Sequence, residues 1–276
     1  MVNYHIHENG WTVILDDVDF KTITQEDVNH VAKLLSTHTC VIARKQFLTL
    51  EEEVRVIKMF KDPYQFYPFA NKADAGFKTA VVANTDNHIL RVTAELDENG
   101  QPGIAYETDE LQWHCNDATR AERRSLVWLY GVRGTMGSRT TWNNNVLSYQ
   151  DLPQEWKDTL VDIKLNMCHW TDRDPGRQAF TPNLIHTNIA GITGLFFPFL
   201  QVLNIEGMTE EESTEWMKPL IEHTTQEKYL YHHDWEDGDL TLSEQWLGIH
   251  KRWPFPDMAT RLLHRAVFNF PDQDYK

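Results

Sequence analysis

Cysteine is scarce in this chain: three in 276 residues (Cys40, Cys115, Cys168), far apart and with no Cys-x-x-Cys spacing. That leaves no basis for a disulfide framework and suits a reduced, cytoplasmic compartment. No apolar run approaches 18 residues, so no membrane span is expected. The opening residues, Met1 to Glu8, lack a basic region followed by an apolar stretch, and no secretory signal is expected there. Positive charge is in deficit, with 26 Lys and Arg against 41 Asp and Glu, a net −15. Such a surface repels phosphate backbones, which argues against nucleic acid or an acidic membrane as partner. Internal repeats, low-complexity tracts and Ser/Gly-rich linkers are also missing, so one domain with insertions is expected over residues 1–276.

What is present can build a core, at 41% hydrophobic and 12% aromatic residues. Three helices are marked by their caps. Thr24 opens a segment with Val28, Val31, Leu34 and Leu35 on one face. Thr49 with Glu52, and Thr209 with Glu212, form capping boxes ahead of apolar faces, and a short helix is expected around Leu152–Leu160. Runs rich in β-branched and aromatic residues mark strands at Thr39–Ala43, Thr79–Ala83, Leu90–Leu96, Ser125–Tyr130 and Thr140–Trp142. Later ones are Lys164–Met167, Gly194–Phe197, Gly238–Leu242 and Leu262–Phe268. Many short strands without βαβ alternation favour a mainly β jelly-roll core with flanking helices.

Within this frame, two histidines and two arginines stand out. His114 lies in Trp113-His114-Cys115-Asn116, and His250 is followed by Arg261 and Arg265 at +11 and +15. Two imidazoles can hold a divalent metal, leaving positions open for other ligands, and guanidiniums can hold a dicarboxylate beside it. If Trp113–Asn116 is extended, His114 and Asn116 share a face and Asp117 points away. Asn116 then offers only a neutral amide oxygen where a carboxylate is expected. A rival set, His232-His233-Asp234, has true His-x-Asp spacing but lacks a well-placed partner. Lys251 and Arg252 read as a solvated basic face.

These segments resemble the taurine dioxygenase-like (TauD/TfdA) family of Fe(II)- and 2-oxoglutarate-dependent oxygenases. Leu111-Gln112-Trp113-His114 resembles the family's Leu-x-Trp-His-x-Asp segment. Gly137-Ser138-Arg139-Thr140-Thr141-Trp142 is similar to its Gly-Gly-x-Thr-x-Trp segment, and His250 with Arg261 and Arg265 matches its terminal signature. Gly10–Phe60, Gly194–Phe197 with Glu211–Ser213, and Trp235–Asp239 resemble further stretches. The resemblance implies a jelly-roll that binds Fe(II), 2-oxoglutarate and O2 and oxidises a C–H bond of a small molecule, releasing succinate and CO2. It implies His114, Asn116 and His250 at the metal, with the two histidines as the catalytic pair. It assigns Arg265, assisted by Thr140, to the far carboxylate of 2-oxoglutarate, and Arg261 to the end bound to iron.

Two departures stand against the family's pattern: Asn116 replaces its aspartate, and Glu244-Gln245 stands where it reads Asp-Asn. For Asn116 three explanations stay open. Its amide oxygen ligates a working iron, Asp117 swings in, or the carboxylate is lost, as in halogenating relatives. The substrate is not legible. The stretches Tyr64–Asn71 and Ala83–His88 are candidates to face it, with Tyr64, Phe66, Tyr67 and Phe69 suiting an apolar compound. Arg91 suits an anionic group or the surface. Trp113, Trp128, Trp142 and Trp246 line a dry pocket or belong to the core. Two other classes remain: a non-catalytic jelly-roll binding a small carboxylate or sugar, and a zinc hydrolase. A homo-oligomer stays an option.

Overall fold

Three of the helices start at the caps that the sequence marks, whereas the one capped by Asn144 starts at a residue that it does not mark. The computed structural model describes residues 1–66, 80–116, 118, 125–168 and 180–271. Its helices are α1 (Gln25–His38), α2 (Leu50–Ile57), α3 (Asn145–Gln150), α4 (Gln154–Leu160) and α5 (Glu210–Thr224). Thr24, Thr49 and Thr209 each close a reciprocal capping box, with Asp27, Glu52 and Glu212 respectively. Each cap satisfies orphan backbone N–H groups and stabilises its helix by about 1 kcal/mol.

The strands of the first half are β1 (Asn3–Ile6), β2 (Thr12–Asp16), β3 (Cys40–Ala43), β4 (Leu90–Val92), β5 (Leu111–His114), β6 (Leu126–Arg133) and β7 (Arg139–Asn143). Those of the second half are β8 (Leu165–Met167), β9 (Ile185–Thr187), β10 (Thr193–Leu195), β11 (Val202–Ile205), β12 (Leu230–Asp234), β13 (Leu240–Glu244), β14 (His250–Arg252) and β15 (Leu262–Phe268). Among the described residues, the large sheet runs β1-β2-β3-β13-β6-β15-β4 and the small one β12-β7-β14-β5. Two further antiparallel pairs, β9 with β10 and β8 with β11, flank them. The fold is mainly β with flanking helices around a jelly-roll core.

Alternation along β6 and β15 shows how the large sheet is shared. Leu126, Trp128 and Tyr130 pack with Ala266 and Phe268 against the buried faces of α1 and α2. Val127, Leu129, Leu263 and Val267 pack instead with Trp142, Tyr231 and Trp235 of the small-sheet side. Successive strand residues face opposite ways, so Arg265 shares the inter-sheet face with Leu263 and Val267. His264 turns to the helices, where its Nδ1 meets Glu53 Oε1 at 2.9 Å.

Several expected strands change extent. The run Leu90–Leu96 leaves the sheet after Val92, because Thr93 Oγ1 accepts from Glu95 N and Asp97 turns the chain. Of Thr79–Ala83, residue 79 lies outside the described residues, and Val81 contributes only an isolated bridge to Leu90. Gly238 adopts φ +87 and abuts Phe47, so that strand begins at Leu240 instead. The strands β1, β2, β9, β11, β12 and β14 form without a sequence signal strong enough to mark them. Among the described residues no helix is long and apolar enough to cross a membrane.

Candidate active site

The small sheet brings the two histidines together. His250 on β14 is the register partner of His114 on β5 and of Trp142 on β7, and Trp142 is opposite Tyr231 on β12. One row across the inner face therefore reads Tyr231, Trp142, His250, His114. The imidazole centroids of His114 and His250 lie 4.3 Å apart. Two residues along the strands, about 7 Å on, a second row reads His233, Thr140, Arg252.

Both imidazoles are held in the neutral, metal-binding form. Burial pushes His114 down to about 4, with the Arg265 and Arg252 charges acting the same way. Burial also holds His250 well below its ordinary value, aided by His114 and Arg265. His114 Nδ1 lies 2.6 Å from the carbonyl of Gln112, a partner that favours the ring proton on Nδ1, and the backbone of His250 also acts on the ring.

β5 stops at His114, so Asn116 does not share its face by strand alternation. Asn116 is placed by tertiary bonds. Arg265 Nη1 donates to its Oδ1 at 3.1 Å, and its backbone N–H donates to Gln245 Oε1 at 2.7 Å. One residue earlier, Gln201 brackets Cys115 from both sides, Oε1 accepting its N–H at 2.9 Å and Nε2 donating to its carbonyl at 3.1 Å. Neither glutamine is singled out by the sequence reading. Gln245 occupies a position noted only as a departure, and Gln201 has no local signal. Asp117 lies outside the described residues, and among these no cluster of three His, Cys, Asp or Glu side chains could hold a metal.

Arg261 is buried and Arg265 half-buried, and they lie at different ends of the site. Arg265 meets Asn116 and bears on both imidazoles, whereas Arg261 Nε donates to Ser138 Oγ at 3.1 Å, just before β7. Arg261 is 2% exposed, and burial, with Arg252 beside it, pushes its guanidinium down to about 9. It has no carboxylate partner among the described residues. Thr140 Oγ1 accepts the indole N–H of Trp235 at 2.9 Å, which leaves the threonine's own proton free to donate elsewhere. Arg265 therefore stands beside Asn116 and the two imidazoles, and Arg261 beside Ser138, whereas the resemblance implies Arg261 for the end nearer the histidines.

Other expectations change with the geometry. Arg252 is no solvated cation: it is buried and donates to the carbonyls of Ala105, Glu107 and Asp109. Lys251 faces the other side, bonded to Glu110 and lying over the Trp253 ring at 4.1 Å. The rival triad disperses. His232 binds Thr141 and Glu227 on the outer face, Asp234 pairs with Arg139, and His233 turns inward towards Asp239. Of the four tryptophans, Trp142 lies 6.3 Å from His250, Trp128 is core, Trp113 faces Lys251 and Trp246 stacks on His186. Tyr64 and Phe66 pack edge to face, and Arg265 lies over the Phe66 ring at 5.9 Å; Tyr67 and Phe69 lie outside the described residues. Arg91 faces Asp97 at 3.9 Å.

Comparison with known proteins identifies the fold and the family. The alpha-ketoglutarate-dependent 2,4-dichlorophenoxyacetate dioxygenase of Burkholderia sp. (strain RASC) is 22% identical over 259 residues, 89% of this chain and 86% of that protein. A taurine dioxygenase structure from Burkholderia xenovorans shares the fold at TM-score 0.75 and 20% identity, over 95% of this chain and 86% of the other. The structure of AAD-2 in complex with Mn(II) and N-oxalylglycine gives a TM-score of 0.79 at 16% identity, over 98% and 99%. The family model of the taurine catabolism dioxygenase TauD, TfdA family matches residues 7–267, and the chain belongs to that family.

Proposed function

We propose that His114 and His250 hold Fe(II) with the amide oxygen of Asn116, and that Arg261 with Thr140 holds the far carboxylate of 2-oxoglutarate. By family, the chain is an Fe(II)- and 2-oxoglutarate-dependent dioxygenase. The bound metal supplies the activation of O2, through which a C–H bond of a small-molecule substrate is oxidised while 2-oxoglutarate yields succinate and CO2. The donor set suits a divalent ion. Two neutral imidazoles face one another, and an amide oxygen has two lone pairs, of which Arg265 takes one.

The chain's own part is binding, charge and orientation. Arg265 places a positive charge at the metal end, where the keto acid's near carboxylate is bound. Arg261 and the Thr140 proton offer charge-assisted donors to the far one. Trp142 closes the row behind His250 and keeps water from that side. Gln201 and Gln245 fix the backbone that carries the first ligand. Three buried thiols and no transmembrane helix among the described residues support a cytoplasmic enzyme, and its acidic surface supports action on free small molecules.

The observation that carries this reading is the register pairing of His114 with His250, together with a buried guanidinium, Arg261, that has no carboxylate partner among the described residues. The test is succinate formation from 2-oxoglutarate with added Fe(II), with and without O2. Succinate that needs O2 and vanishes in His250→Ala supports it. Stabilisation by 2-oxoglutarate without turnover indicates a carboxylate binder, and oxygen-independent activity a hydrolase.

A further inference from the structure

The second row of the small sheet carries a guanidinium with no role in the scheme above. Arg252 lies two residues beyond His250 and opposite Thr140, so its side chain leaves the same inner face. It is 5% exposed. Its terminal nitrogens are committed: Nη1 donates to Ala105 O at 2.6 Å, and Nη2 to Glu107 O at 2.5 Å and Asp109 O at 2.7 Å. Three carbonyls fix the plane of the guanidinium and with it the direction of Nε–H. That nitrogen is buried and has no acceptor among the described residues.

The charges around it sharpen the point. Arg252 and Arg261 are close enough for one to lower the proton affinity of the other, and neither is hydrogen-bonded to a carboxylate among the described residues. Two buried cations side by side are costly unless an anion joins them. Carbonyl dipoles solvate Arg252 in part, and the charges of Glu107 and Asp109 act on it, but no carboxylate among the described residues is hydrogen-bonded to it. A carboxylate at the Thr140 end of the row would meet the Thr140 proton, Arg261 and the Arg252 Nε–H together.

We infer that Arg252 is a further cosubstrate-binding residue, whose Nε–H donates to the far carboxylate beside Arg261 and Thr140. The inference rests on the 2-oxoglutarate reading above. It also links the run 105–109, which leads into β5 and His114, to cosubstrate through one side chain.

The test is ligand binding to the Mn(II)-loaded protein without O2, followed by calorimetry. Two keto acids are compared: 2-oxoglutarate and 2-oxopentanoate, which has a methyl group in place of the far carboxylate. Wild type is expected to prefer 2-oxoglutarate. Arg252→Gln is expected to lose roughly 10-fold or more of its affinity for 2-oxoglutarate, with that for 2-oxopentanoate and for Mn(II) unchanged. Arg252→Lys keeps the charge and stem, lacks the Nε–H, and should show the same selective loss if the Gln variant does not fold. Equal losses for both keto acids, or a matching loss for Mn(II), mean that Arg252 only staples 105–109 to β14, and overturn the inference. Unchanged 2-oxoglutarate binding overturns it too. Wild type binding both keto acids alike sinks the far-carboxylate reading itself, before any variant is made.

Discussion

Arg265 donates to the side-chain carbonyl of Asn116 at 3.1 Å, and that bond decides which end of the amide is oxygen. Turned over, the amide would set N–H against N–H. In the proposed site that oxygen would serve a guanidinium and a metal at once, a weaker donor than a carboxylate in the same place. Asn116→Asp should tighten Mn(II) binding by about 10-fold, because a full negative charge offsets Arg265 and meets the cation. Calorimetric titration checks it, and weaker binding would show that Asn116 is turned from the metal.

The neighbours His264 and Arg265 face opposite sides of β15 and should fail differently. Arg261→Ala should raise the 2-oxoglutarate requirement most, and Arg265→Ala should weaken cosubstrate and disturb Asn116. His264→Ala leaves Glu53, which is 1% exposed, without its imidazole. It should lower stability by about 3 kcal/mol while the KM for 2-oxoglutarate barely moves. Urea unfolding and cosubstrate titration separate these outcomes, and a KM raised alike in all three variants would contradict them.

Gln201 and Gln245 hold the peptide groups of Cys115 and Asn116 from distant parts of the chain. Gln201→Leu removes the acceptor of the Cys115 N–H and the donor to its carbonyl. Metal affinity should fall by about 10-fold or more, as for partners that orient a ligand. An unaltered Mn(II) titration would limit Gln201 to packing.

Acid should unfold the metal-free protein partly through the site. His114 is held down to about 4 when folded and returns to about 6.5 when unfolded. Between those values the unfolded chain binds more protons, so stability is fully present above about pH 6.5 and is lost as pH falls towards about 4. His114→Gln should flatten that slope in urea unfolding between pH 7 and 5. The same slope in variant and wild type would contradict it.

The helices capped by Thr24, Thr49 and Thr209, and the candidate pair His114 and His250, were legible because their signals are local or repeated. A threonine with an acid three residues on makes a cap wherever it lies, and His250 with two arginines at fixed offsets carries its own spacing. The order of those arginines was not legible. Arg261 and Arg265 have the same parity, and which one meets Asn116 depends on the direction of β15 and on its irregular register between Leu262 and Leu263. Lys251 and Arg252 look alike as a basic pair, yet alternation sends one over Trp253 and the other inward. Gln201 acts on Cys115 from 86 residues away, a contact made by folding alone.

The convergence of His114 and His250 on one ion is tested most directly by electron spin echo spectroscopy of the Mn(II)-loaded protein. Nitrogen couplings from two imidazoles are expected in the wild type, with one remaining in His114→Ala and one in His250→Ala. Couplings that survive both substitutions unchanged would place the metal elsewhere.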